Sequence, residues 1–190
     1  MNYLCFDSDD FGVNHVISDQ TQSHDCRDVL DRLHFANPVF KATLFTNPAE
    51  MSYELLEWCR ANEGWIQLAL HGFYHRSNFE CVEMSEEDFE QNIKPFEYML
   101  DEYFVKGFKA PGWQISDGCY QWLLKNGYWV ADQHYNDDRR PKELSVYHVG
   151  ENSIHTHTWD CEGNGVYELF EELEAKVKAA SEFKFIGEVI

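Results

Sequence analysis

Two histidines four residues apart, His71 and His75, follow an apolar run, Trp65-Ile66-Gln67-Leu68-Ala69-Leu70, that reads as a buried strand. Positions four apart share a face, so one helical turn of backbone would let both imidazoles reach a single ion. Zinc and similar ions accept neutral imidazole readily. The spacing by itself also suits two unrelated histidines. Gly72 rules out the His-Glu-x-x-His helix of a zinc peptidase, in which the glutamate is the general base. A base must therefore come from elsewhere. Phe6-Asp7-Ser8-Asp9-Asp10-Phe11-Gly12 places three carboxylates in four residues at the end of an apolar strand. Such crowding of like charge is tolerable when a cation offsets it, although a turn with a helix-capping aspartate reads the same way. Joined to the histidine pair, the cluster supplies a carboxylate to complete a His₂Asp site with an open water position. A second carboxylate is then available to take that water's proton, which is the equipment of a hydrolase.

These residues sit in a chain of alternating elements. Strands are expected at Tyr3–Phe6, Lys41–Phe45, Trp65–Leu70, Gly107–Lys109, Tyr128–Ala131, Leu144–His148, Ser153–His157 and Phe183–Val189. Helices are expected near Arg27–Phe35, from a Ser52 cap to about Asn62, from Ser85-x-x-Asp88 onward with a kink at Pro95, and from an Asp117 cap to Asn126-Gly127. Tyr167, Phe170, Leu173 and Val177 mark one more amphipathic helix. Such alternation predicts an α/β fold: a mostly parallel sheet of about seven strands curled into a small, distorted or incomplete (β/α) barrel. Function in these folds gathers at the carboxyl ends of the strands. The candidate residues lie there: Asp7, Asp9 and Asp10, His71 and His75, Ala110-Pro111-Gly112, Asp132, and His155 and His157.

Composition narrows the partners. The 190 residues suit a single domain over 1–190, with no linker, repeat or low-complexity segment. Hydrophobic residues at 44 % and aromatics at 16 % describe a globular protein. No apolar run approaches the roughly 20 residues of a membrane span, and the first residues do not resemble a secretory signal. The net charge of −19 argues against nucleic acid and anionic lipid as partners and leaves a neutral or cationic ligand. Cys5, Cys26, Cys59, Cys81, Cys119 and Cys161 stand singly and read as free thiols of a reducing compartment, the cytoplasm. Trp113, Trp129 and Trp159 are candidate aromatic walls for the apolar face of a sugar ring, Trp113 foremost. Asp132 is a candidate either to orient an acid histidine or to face water.

The set Asp9-Asp10, His71-x-x-x-His75, Lys109-Ala110-Pro111-Gly112 and a late strand ending in His157 resembles the polysaccharide deacetylase family of metal-dependent carbohydrate esterases, in order and over nearly the whole chain. The resemblance implies that Asp9 is the base, that Asp10, His71 and His75 hold one divalent ion, and that His157 protonates the leaving amine. Zinc is the expected ion, with cobalt, nickel or manganese as alternatives. Pro111, Gly112 and Trp113 are implied to bind substrate. Some family members space the two aspartates one residue apart, which would make Asp7 the base and Asp9 the ligand; Phe11-Gly12 directly after the pair favours Asp9 and Asp10. Lys109 stands where the family's third motif has arginine, and Gly112 precedes Trp113. His155 and His157 share one face of their strand, so depth separates them and places His157 nearer the carboxyl end. The implied activity is removal of an N-acetyl group from an amino sugar or oligosaccharide. An amidase or cyclic-imide hydrolase on the same metal site, or a non-catalytic carbohydrate-binding relative, are the alternatives.

Overall fold

The first strand, β1 (Cys5–Asp9), is buried along its whole length, and its alternation lays out the molecule. Phe6 faces outward into the helix-covered core, whereas Cys5 belongs to a separate cluster with Phe45, Ala69, Ala131 and Ile186. A period of two then puts Asp7 and Asp9 on the same inner side as Cys5. The computed structural model describes residues 3–17, 20–134, 137–150, 152–159 and 163–190.

After β1 come a small antiparallel hairpin, β2 (Asn14–Ile17) and β3 (Gln20–Ser23), and then α1 (Arg27–Ala36), β4 (Ala42–Thr46), α2 (Tyr53–Ala61) and β5 (Ile66–Leu70). The chain continues through α3 (Glu86–Ile93), α4 (Glu97–Tyr103), β6 (Phe104–Phe108), α5 (Asp117–Lys125), β7 (Trp129–Asp132), β8 (Val146–His148), β9 (Ser153–His157) and α6 (Phe170–Ala179). Seven strands form one parallel sheet in the order β8-β7-β6-β5-β4-β1-β9, curled through 253° into an incomplete barrel. The α/β incomplete barrel expected from the alternation is the observed architecture.

Local chemistry accounts for most boundaries. Ser52 Oγ accepts the Leu55 amide at 3.2 Å and starts α2. Ser85 and Asp88 make a reciprocal capping box at the start of α3. Pro95 divides the next stretch by a 3₁₀ turn at Lys94–Phe96, which separates α3 from α4. The cap of α5 is Ser116, not Asp117, because the Ser116 hydroxyl accepts the Cys119 amide at 3.1 Å and Asp117 becomes the first helical residue. The strand expected at Phe183–Val189 is absent. After a single bridge between Leu4 and Phe183, a 3₁₀ turn at Ile186–Glu188 drives Ile186 into the barrel interior, where its amide donates to Thr43 Oγ1 at 3.2 Å. The β2–β3 hairpin occupies a stretch whose sequence reads as loop. Cys5, Cys26, Cys59, Cys81 and Cys119 are buried free thiols, and Cys161 lies outside the described residues.

Close packing at the inner face is tested at Gly107 on β6, where a Cβ would lie 2.1 Å from Cζ2 of Trp129 on the neighbouring strand. Gly107→Ala should lower the unfolding free energy by about 1–3 kcal/mol, read from urea melts, because the indole has to leave its place. An unchanged midpoint would mean that the β6–β7 edge is looser than described.

Candidate functional site

Lys109, directly after β6, is fully buried, which is costly for an ammonium unless it is paired. Its Nζ donates to Asp7 Oδ1 at 2.5 Å and to Asp9 Oδ1 at 2.7 Å. The rings of Phe45 and Trp113 flank it, their centroids 4.1 and 4.7 Å away. Burial pushes the Asp9 carboxyl up, but the Lys109 ammonium, with His71 behind it, more than reverses this and leaves it at about 2. Asp7 is likewise held below the ordinary carboxylate range, burial being outweighed by Lys109 and then His155. Both aspartates are anions around one cation.

His71, at the end of β5, donates from Nδ1 to the Lys109 carbonyl at 3.0 Å, which fixes the tautomer and leaves the Nε2 lone pair free. Burial pulls its pKa down to about 4, so the ring is neutral, the form that ligates metal. His71 Nε2 and His75 Nε2 lie 3.6 and 3.4 Å from the same oxygen, Asp10 Oδ1. One donor atom from each of Asp10, His71 and His75 falls within 4.8 Å of the others. The second Asp10 oxygen accepts Trp159 Nε1–H at 2.9 Å. Two imidazoles and a carboxylate at this separation fit a divalent ion of the zinc type.

The histidine pair does not lie on a helical turn. The chain bends after Leu70, with Gly72 at φ 69° and His75 at φ 45°, and the Glu80 carboxylate accepts the amides of Phe73, Tyr74 and His75. Nothing in the spacing of the histidines points to Glu80, which reads as one more surface acid.

β9 pairs in register with β1, so that His155 lies level with Asp7 and His157 with Asp9. His155 Nδ1 is 2.7 Å from Asp7 Oδ1, and its Nε2 is 3.9 Å from Asp9 Oδ2. His157 Nδ1 accepts from Asn164 Nδ2 at 3.2 Å, leaving the ring proton on Nε2, and burial lowers its pKa. Asp9, His155 and His157 form a second group of donors within 4.8 Å. Pro111, Gly112 and Trp113 make a 3₁₀ turn beside Lys109; Pro111 packs against Gly72, and the Trp113 ring meets His155 edge-on at 5.4 Å. Asp132 does not face water: it is buried, pairs with Arg140 and accepts the His134 amide at 2.8 Å.

No family model matches the sequence, and no curated protein does. Solved structures do match. A peptidoglycan N-acetylglucosamine deacetylase aligns over 100% of this chain and 88% of its own at a TM-score of 0.66 and 17% identity. A family 4 acetyl xylan esterase from Clostridium thermocellum, in complex with a cobalt ion, aligns over 98% and 89% at 0.65 and 15%. The fold is that of the family 4 carbohydrate esterases. A family 4 pseudoenzyme from Bacillus anthracis shares it over 99% of this chain and 65% of its own, at 0.58 and 9% identity. The esterase fold at such identities therefore does not decide activity, which rests on the side chains.

Lys109→Met keeps the stem and removes the charge, leaving Asp7 and Asp9 buried against each other. Stability at neutral pH should fall by about 3–5 kcal/mol in denaturant melts, as when one member of a buried pair is deleted. A loss below about 1 kcal/mol would mean that the pair is far more solvated than its geometry implies.

Proposed function

We propose that the chain is a divergent polysaccharide deacetylase, a metal-dependent hydrolase that removes the N-acetyl group of an amino sugar or oligosaccharide. The observation that carries this reading is the convergence of Asp10, His71 and His75 on one point beside Asp9, a base candidate already held by a buried cation. Asp10, His71 and His75 would hold one divalent ion, zinc by preference. When bound, the ion would supply Lewis-acid polarisation of the acyl oxygen and activation of water.

The chain's own residues then divide the proton work. Asp9 keeps Oδ2 free while Lys109 holds Oδ1, so the free oxygen can accept the proton of the attacking water. His157, level with Asp9 at the carboxyl end of β9, is assigned as donor to the departing nitrogen. Asn164 sets its ring so that the proton sits on Nε2. His155, one layer deeper and oriented by Asp7, backs the base. Trp113, partly exposed at the rim, is suited to the apolar face of a sugar ring. Five buried free thiols support the cytoplasm as the compartment.

The gently purified protein should carry about one divalent ion per chain, and His71→Ala or His75→Ala should remove it. Asp10→Asn should lose the ion and turnover together, whereas Asp9→Asn should keep the ion and lose turnover. A sample without metal, to which added zinc or cobalt neither binds nor raises the melting temperature, would end this reading. Acetate release from N-acetylated sugars, compared with amide and cyclic-imide hydrolysis, decides the substrate class.

The donor assignment has its own test. His157→Ala should slow an N-acetyl substrate by about 10²–10⁴-fold and an activated aryl acetate far less, since only the amine needs a proton to leave. A larger loss in His155→Ala would transfer the donor role to that residue.

A further inference from the structure

The backbone that presents His75 is held by a carboxylate outside the Asp10, His71 and His75 cluster. Three consecutive amides, those of Phe73, Tyr74 and His75, point at the Glu80 side chain, with N–O distances of 3.1, 3.0 and 3.2 Å. Successive N–H groups converging on one anion form a nest of the kind that binds phosphate or carboxylate in other proteins. Here the chain fills the nest with its own side chain. His75 at φ 45° is in the left-handed region, which is strained for a non-glycine residue and persists only where its surroundings demand it.

The nest is closed tightly and anchored from behind. A Cβ on Gly72, itself at φ 69°, would lie 2.3 Å from Glu80 Oε2 and 2.8 Å from Pro111 Cγ. Directly after Glu80, the Cys81 carbonyl accepts the Ser116 amide at 2.9 Å, and Ser116 caps α5. Glu80 therefore carries the fixed position of α5 to the loop that presents His75. We propose that Glu80 is the positioning residue of the metal site: by filling the nest of amides 73–75 it sets the backbone of His75, and through it the approach of Nε2 to Asp10. This rests on the reading of Asp10, His71 and His75 as metal ligands.

The test is a calorimetric zinc titration of the full chain, run on wild type, Glu80→Gln, Glu80→Ala and, as control, the exposed neighbour Glu83→Gln. Glu80→Gln places an N–H donor against amide donors. Zinc affinity should fall by about 10–100-fold in both Glu80 variants, the usual range for residues that orient ligands, and stay unchanged in Glu83→Gln. The melting temperature and circular dichroism of the metal-free Glu80→Gln protein should stay near those of wild type. In Glu80→Ala the emptied nest should take up free formate, so that excess formate restores zinc affinity there and does nothing for Glu80→Gln or wild type. Zinc affinity in Glu80→Gln within about twofold of wild type would overturn the proposal, as would failure of formate to restore a folded Glu80→Ala. If Glu80→Ala does not fold, the isosteric Glu80→Gln decides alone. A wild type that binds no zinc would instead overturn the metal reading, and this inference with it.

Discussion

The buried ammonium of Lys109 is the contact on which the site depends. Asp7 and Asp9 in β1 and Asp10 directly after it crowd three carboxylates together, and Asp7 and Asp9 point into a barrel interior where like charges cannot lie side by side unscreened. Lys109 leaves the sheet at the end of β6, separated from β1 by β5 and β4, and reaches across the mouth to both carboxylates. It braces the open barrel where backbone hydrogen bonds cannot. The same residue fixes a metal-ligand candidate with its carbonyl, which takes the His71 Nδ1 proton. The proposed base and a candidate ligand are thus oriented by opposite ends of one residue, and a displacement of β6 would disturb both. A lysine can do this because its three donors radiate from a point, so it serves two carboxylates on one strand without the planar fork of an arginine.

The fold class was legible because parallel strands buried on both faces read as short apolar runs between amphipathic helices, whereas the order of the strands in the sheet was not. β9 was legible to the residue, and α2 and α3 announced themselves through Ser52 and the Ser85–Asp88 box. The failures share a cause. Phe183–Val189 is apolar enough for a strand, but the space left for it is the bottom of the barrel, and a turn at Gly187 lets Ile186 plug it. That space exists only once the sheet has curled. The start of the chain erred in the same direction: an apolar segment ending at Phe6 omits Asp7 to Asp9, which belong to β1 because Lys109 makes their burial tolerable.

In the site, residue types and order were readable, and their mutual geometry was not. Asp9, Asp10, His71 and His157 lie at or directly after strand ends, and His75 joins them from the loop after β5. The helical-turn rationale for the histidine pair was mistaken. Side chains four apart can also meet when a loop wraps around a carboxylate, and a local spacing rule cannot see the carboxylate five residues on. Asp132 misled in the opposite way: it carries the right type at a strand end, but Arg140 and the His134 amide occupy it. Which of several strand-end acids enters a site depends on cross-barrel partners, and those are tertiary.

Backbone strain ties these observations together. Among the described residues, the non-glycine positions with positive φ are Asp10, His75 and Trp113, one after each of β1, β5 and β6. Each has something that holds it: the Trp159 indole on the Asp10 carboxylate, Glu80 on the His75 amide, and the Ala110 carbonyl on the Trp113 amide at 2.9 Å. Such conformations cost of order 1–3 kcal/mol each, and they survive where neighbours over-determine them. The strain is therefore sustained by ordinary hydrogen bonds of the folded chain, which hold the donor atoms of Asp10, His71 and His75 within reach of one another.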